Sequence, residues 1–341
     1  MTSNDLNIEI NKLTQAYNNS LSILSYQFKQ NINIINRSRL SIRVKQTLIK
    51  NITTNYNNNV KRLTNEYNIK KKNIIDLFSK IPPSNKKMAL LIGINYINTP
   101  DELYGCINDT NNIKDLLQSK FNYDIFNILT DNTNTKPTKQ NIINELTKLL
   151  VNANNGDSIF FSYSGHGTYT IDLNNDENDG YDEMIVPIDA HNIKTCILDD
   201  EINSIITKNL KGGVKLFMLF DSCFSGSVVD LKYNYLTTEN DINSLIINPQ
   251  GKDTIGQVIM ISGSKDDQTS ADTYVKYFNN NINSGAMTYS FLKTIHDLGI
   301  NISLEDLIKN MRIILKENEF SQIPQLSSGT LIDISSSILS L

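Results

Sequence analysis

The sequence predicts an α/β protein: a mainly parallel sheet covered by helices, preceded by an α-helical N-terminal extension. Three observations predict it. From residue 88 onward, short apolar runs typical of buried parallel strands alternate with helical patterns. Residues 1–80 contain neither Gly nor Pro and carry apolar residues at helical spacing. Pro82 and Pro83 separate the two regions.

In the extension, Leu6, Ile10, Leu13, Tyr17, Leu21, Leu24 and Phe28 recur in steps of three and four, which traces one helix face. Val60, Leu63, Tyr67, Ile74, Leu77 and Ile81 repeat the pattern less regularly. One or two long amphipathic helices are expected, paired as a hairpin. A basic tail with fluctuating helix is the competing reading. Lys70-Lys71-Lys72 reads as a solvated helix face, so nucleic acid is not expected as a partner. Residues 81–87 are the linker, because two prolines end any helix there.

The domain after it, 88–341, reads in order. Met88–Asn95 is a buried strand, Asn111–Ser119 a helix, Asp124–Leu129 a strand, Lys139–Asn152 a helix and Asp157–Tyr163 a strand. Glu201–Asn209 is a helix, Val214–Phe220 and Gln257–Ser262 are strands, and Ala286–Asp297 and Leu304–Glu317 are helices. Such alternation implies an open parallel sheet with right-handed crossovers. Three polar stretches, Thr168–Glu183, Lys232–Asp253 and Asp272–Ser284, are expected as loops beyond strand ends, around the site.

Composition narrows the function classes. Net charge is −4, yet residues 1–87 carry 15 Lys/Arg against 4 Asp/Glu, and the remainder 17 against 32. An acidic domain suits cationic ligands such as basic peptides or metal ions. Three cysteines, Cys106, Cys196 and Cys223, form no disulfide framework and fit a reducing compartment. Cys106 and Cys196 are expected as buried thiols. The N-terminus is polar, and no apolar run approaches the roughly 18 residues of a membrane span. The expected location is the cytoplasm, with the nucleus as the other option.

Two motifs carry chemistry. Tyr163-Ser164-Gly165-His166-Gly167 follows one strand-like run, and Asp221-Ser222-Cys223-Phe224-Ser225-Gly226 follows another. Loops beyond the carboxyl ends of neighbouring parallel strands meet, so His166 and Cys223 would converge. A Cys/His pair is the minimum apparatus for thiol nucleophilic catalysis. Each residue alone has a bland reading, a buried small hydrophobe and a structural His. Flanking glycines, which let backbone approach a ligand, favour the catalytic one.

With these motifs the sequence resembles the metacaspases, members of the caspase-like cysteine peptidases, in a compact type I-like catalytic domain. The resemblance also rests on Ala89–Tyr96, Leu103–Asp109, Leu198–Ile202, Gly226–Leu231, Ser262–Asp272 and Pro324–Ser328, in family order. The His precedes the Cys by 57 positions, near the roughly 50 of caspase-type enzymes. One departure is Phe224, where metacaspases commonly have His.

The resemblance implies a caspase-like α/β/α sandwich and a calcium-activated cysteine endopeptidase that cleaves proteins after Arg or Lys, a zymogen with autocatalytic cleavage and a monomeric catalytic domain. It makes Cys223 the nucleophile and His166 its partner, with the backbone N–H groups of Gly167 and Cys223 as oxyanion donors. It places Asp109, Ser164 and Asp221 in an acidic substrate-binding pocket, with Asp272 as an addition. Asp109 also reads as a helix N-cap, and Asp272 as a loop cap. No arginine occurs in residues 86–311, against a caspase-like preference for Asp substrates.

For Ca²⁺ the resemblance implies Asp182, Asp199, Asp200 and Asp230, all hard oxygen donors. The acidic run Asp172–Glu183 fails the EF-hand pattern and by itself reads as a solvated loop. Mg²⁺ is disfavoured by its stricter octahedron, and no Cys/His cluster supports zinc. Self-cleavage is expected after Lys232 or Lys252, or after Lys86 or Lys87. The alternative function is a catalytically weak caspase-like scaffold that recruits partners through its N-terminal helices.

Overall fold

The computed structural model describes residues 3–78, 84–171, 181–222, 229, 231–235, 245–248, 251, 253–262, 272–277, 280–320, 322–335 and 337–338. Its contacts form two compact units, Met1–Ile81 with Leu331–Asp333, and Pro82–Thr330 with Ile334–Leu341.

The first unit is a hairpin of α1 (Ser3–Arg37) and α2 (Ile42–Phe78). Its seam follows the apolar stripe. Ile10, Tyr17, Leu21 and Tyr67 are buried. Thr14 and Tyr67 share a 2.6 Å hydroxyl–hydroxyl bond, Tyr17 meets Tyr67 edge-on at 5.0 Å, and Phe28 stacks on Tyr56 at 4.5 Å. Partners on α2 move back as those on α1 advance, so the helices run antiparallel.

The second unit runs β1 (Lys87–Gly93), α3 (Cys106–Phe121), β2 (Ile125–Thr130), α4 (Lys139–Asn152), β3 (Ser158–Ser164), β4 (Gly167–Ile171), β5 (Tyr181–Ile185) and β6 (Ile197–Leu198). Then come α5 (Asp199–Asn209), β7 (Lys215–Asp221), β8 (Tyr233–Tyr235), β9 (Leu245–Ile247), β10 (Gln257–Ser262), β11 (Asp272–Tyr277), β12 (Asn280–Gly285), α6 (Ala286–Leu298), α7 (Leu304–Glu317) and β13 (Gln325–Ser328).

The central sheet has the order β2-β1-β3-β7-β10-β13-β8-β9. It is parallel from β2 to β10 and antiparallel beyond. Its strands are apolar on both faces because both are covered. Phe161, Leu90 and Met218 pack with Ile142 and Leu146 of α4 and Ile202 and Ile206 of α5. The neighbouring Phe160 faces the other way and, with Phe217, meets Phe291 of α6. The result is an α/β/α sandwich.

The structure corrects several expectations. The sheet is mainly parallel as expected, but the sequence does not announce the four-residue β13, which inserts antiparallel between β10 and β8. Its sequence, Gln-Leu-Ser-Ser, is too short and polar to announce a strand. The stretches expected as loops supply strands at their margins. β4 and β5 frame the acidic run and join β6 in a three-stranded sheet. β11 and β12 pair as a hairpin across the segment expected as an Asn-rich loop. Such short antiparallel strands gain their pairing from a partner a few residues away, which weak local alternation does not signal. Finally, α3 starts at Cys106 with Gly105 at its N-cap, so Asp109 is not the cap.

Candidate active site

Three parallel strands stop together. Gly93 of β1 pairs with Ser164 of β3, and Ser164 pairs with Asp221 of β7. Gly165 N–H donates to the Asp221 carbonyl at 3.3 Å. In sequence, His166 and Cys223 each follow the aligned pair by two residues, and β3 and β7 are adjacent. Cys223 lies outside the described residues, which pause after Ser222.

His166 is held on every side. Its backbone N–H donates to the Tyr96 hydroxyl at 3.0 Å, and its carbonyl accepts from the Tyr163 hydroxyl at 2.7 Å and the Val186 N–H at 3.1 Å. The Tyr96 hydroxyl in turn donates to the Val186 carbonyl at 2.7 Å, and its ring lies 4.7 Å from the imidazole. Burial pushes both tyrosine hydroxyls above the ordinary phenol range, so they stay neutral donors. The ring Nε2 lies 2.7 Å from the Asp101 carbonyl. A carbonyl only accepts, so the proton sits on Nε2 and Nδ1 remains the acceptor.

The loop after β1 makes this arrangement. Tyr96 and Asn98 have φ of 51° and 64°, a left-handed backbone that costs a non-glycine residue energy. Asp131, just past β2, offsets that cost by accepting the N–H groups of Asn95 at 2.7 Å and Ile97 at 3.1 Å. Asn95 Oδ1 then accepts from Ile107 N–H, tying the loop to α3.

Asp109 and Asp221 form a buried acidic pair beside the strand ends. Asp109 Oδ2 accepts from Ser164 Oγ at 2.7 Å and from Gly285 N–H at 3.0 Å, and Oδ1 accepts from Ser284 Oγ. Asp221 Oδ2 accepts from Thr288 N–H at 2.7 Å, in the first turn of α6. A Cβ on Gly285 would stand 2.0 Å from that oxygen, so only glycine fits between the two carboxylates. Burial first, and the Asp221 charge second, hold Asp109 well above the usual carboxylate range, against the pull of its hydrogen bonds. Such a pair accommodates a cation well and a substrate carboxylate poorly.

Three of the four proposed calcium positions are described. Asp199 is buried at the start of α5. Its Oδ2 accepts from Glu183 N–H at 3.1 Å and its Oδ1 from Asp200 N–H at 2.7 Å. Met184 pairs with Leu198, so Asp182 and the Asp199–Asp200 pair lie at the same end of that ladder. Asp230 lies outside the described residues, as does the acidic stretch 172–180. Among the described residues no group of three or more His, Cys, Asp or Glu is arranged to hold a metal. In donor chemistry the set fits a hard cation. In local structure, acids in the first turn of α5 also suit its N-terminal dipole.

The remaining candidates separate by backbone pairing. Gly167 opens β4 opposite Ile185. Asp272 opens β11, with its side chain outside the described set. Lys86 takes the Ser158 N–H on its carbonyl, and Lys87 lies in β1. The Lys232 carbonyl accepts from Asn248 N–H at 2.8 Å, and its ammonium pairs with Asp253 at 2.6 Å. Lys252 lies outside the described residues. Cys106 and Cys196 are buried and neither is in a disulfide. Sequence reasoning missed Asp101, Asp131, Ser284, Gly285 and Thr288. Only Asp131 left a trace, a carboxylate directly after a parallel strand.

The chain is similar to known proteins in sequence and fold. Residues 87–232 match the metacaspase, peptidase C14 domain family. The chain is 38% identical over 294 residues to metacaspase-1 of Meyerozyma guilliermondii, spanning 72% of this chain and 70% of that protein. It is 36% identical over 298 residues to metacaspase-1 of Schizosaccharomyces pombe, spanning 73% and 68%. A crystal structure of a Geobacter sulfurreducens protein superposes with a TM-score of 0.52 at 23% identity, covering 73% of this chain and 95% of that one, a likeness of fold.

Tyr96→Phe tests the frame around His166. It deletes the acceptor of the His166 N–H inside a buried site, which costs about 1–3 kcal/mol. Denaturant unfolding should show that loss, and peptide turnover should fall about tenfold as the imidazole loosens. Unchanged stability and turnover would contradict the assignment.

Proposed function

The chain belongs to the metacaspases, caspase-like cysteine peptidases, and from that premise we propose a calcium-activated endopeptidase that cleaves proteins after Arg or Lys. The observation that carries the specificity is the buried Asp109–Asp221 pair around Gly285. A cationic side chain entering there relieves the repulsion between the carboxylates and satisfies their remaining lone pairs.

The mechanism uses this chain's own groups. Cys223 is the nucleophile and His166 its base, with Nδ1 free because Nε2–H is committed to Asp101. The thiolate attacks the carbonyl carbon of the Arg or Lys, and the carbonyl electron pair moves to oxygen. Backbone N–H groups of Gly167 and Cys223 stabilise that oxyanion. Collapse expels the amine, which takes its proton from the imidazolium. Water, deprotonated by His166, then releases the acid and restores the thiol.

We assign Ca²⁺ to Asp182, Asp199, Asp200 and Asp230, and Asp272 to the rim of the pocket. When bound, the ion would neutralise the charge of these carboxylates, apart from the thiol chemistry. We propose self-processing after Lys232 or Lys252, or after Lys86 or Lys87, at the margins of polar connecting segments. Lys86, Lys87 and Lys232 have backbone groups in or beside the sheet, so cutting there requires local opening.

Asp221→Asn should abolish turnover of Arg and Lys peptides, since breaking one side of a buried charge pair costs about 2–5 kcal/mol. The pH dependence has a definite sign. Asp109's raised pKa means the fold disfavours its ionised form, so the empty pocket is more stable below the ordinary carboxylate pKa and loses that increment as pH rises through the raised value. A cationic ligand needs the ionised form. The melting shift produced by a small guanidinium ligand should therefore grow with rising pH, with a midpoint above the usual carboxylate range. Asp221→Asn should move that midpoint down. A pH-independent shift, or normal Arg turnover by the variant, would refute the pocket.

The metal assignment is checked on Cys223→Ala protein, which cannot digest itself. Calorimetry should register Ca²⁺ but not equal Mg²⁺, and replacing Asp199 and Asp200 together by Asn should remove the signal. No binding, or binding undiminished by the double change, would leave these acids only their favourable place at the N-terminal dipole of α5.

A further inference from the structure

The tip of the N-terminal hairpin is apolar and cationic at once, and the metacaspase chemistry does not use it. Between Ile10 and Asn65 the chain has nine Lys/Arg and no Asp/Glu. Arg37, Arg39, Arg43 and Lys45 crowd the turn between α1 and α2. Among the described residues Arg37, Arg39 and Arg43 join no ion pair, and Lys45 donates to the Asn36 carbonyl at 2.8 Å. Set among them are large aliphatic side chains left to solvent. Ile42 is 76% exposed, Ile34 65%, Leu40 46% and Val44 44%. The chain leaves the hairpin at the opposite end of α2, some 37 residues away, about 55 Å along the helix axis.

We propose that this tip docks on the surface of an anionic phospholipid bilayer. The arginines meet lipid phosphates and carboxylates, and Leu40, Ile42 and Ile34 enter the acyl boundary. Charge selects the partner. A second copy of the tip would bring like charges together. A nucleic acid would satisfy the arginines but leave the aliphatic side chains in water, where they gain nothing. No helix among the described residues is long and apolar enough to cross a membrane, so the contact is superficial.

The test is vesicle co-sedimentation of the full-length Cys223→Ala protein. Vesicles are phosphatidylcholine alone, or the same lipid with about a third phosphatidylserine, a charged-leaflet mimic. Partition should be at least about tenfold stronger on the anionic vesicles. Leu40→Asp with Ile42→Asp should lower it about tenfold or more, and Arg37→Gln, Arg39→Gln and Arg43→Gln together should do the same. Circular dichroism should show unchanged helix in both variants, and if the Asp pair loses helix the Gln triple decides alone. Absence of binding, equal binding to neutral vesicles, retention by both folded variants, or binding to an oligonucleotide without binding to vesicles would each overturn the proposal.

Discussion

The site depends on the ladder register of β1, β3 and β7, which sets Gly93, Ser164 and Asp221 side by side at the carboxyl edge of the sheet. Because side chains alternate faces along a strand, a slip of one residue in β7 would turn Asp221 away from Asp109 and carry the side chains that pack on α4 and α5 to the opposite face, against α6. The buried rows of β3 and β7 on both faces make that slip costly. One register thus fixes the core, the acidic pair and the equal two-residue lead to His166 and Cys223.

The acidic pair is a stored electrostatic cost. Asp109 is buried beside a second carboxylate, and hydrogen bonds from Ser164, Ser284 and Gly285 recover only part of the desolvation. Packing elsewhere must hold the arrangement: Phe160 and Phe217 of the sheet pack against Phe291 of α6, whose first turn donates to Asp221. Under the proposed function, binding would relieve this repulsion, which favours a cationic side chain over a neutral one.

Much of this was legible in the sequence because it rests on local pattern. The apolar runs beginning at Met88, Asp157 and Val214 are long, two-face-buried strands, and they lie within a residue or two of the observed ones. Asp109, Ser164 and Asp221, taken from resemblance, do meet in space. What stayed hidden depends on distant partners. Gly285 gives no sign that it separates two carboxylates, and the Asp101 carbonyl is a backbone atom whose role no residue type encodes. β13 and the β11–β12 hairpin owe their pairing to neighbours rather than to propensity. Asp131 was overlooked because its task, holding the left-handed Tyr96 loop, exists only once β1 and β2 are adjacent.

The central claim is that His166 and Cys223 form one ionic pair beyond the aligned strand ends. The direct measurement is the rate of Cys223 alkylation against pH in wild-type protein and in His166→Ala. Cys106 and Cys196 are buried and serve as internal controls. A paired thiol ionises below the ordinary value of about 8.5, so the wild-type profile should rise well under that pH and move up when the imidazole is removed. Superimposable profiles for the two proteins would contradict the account.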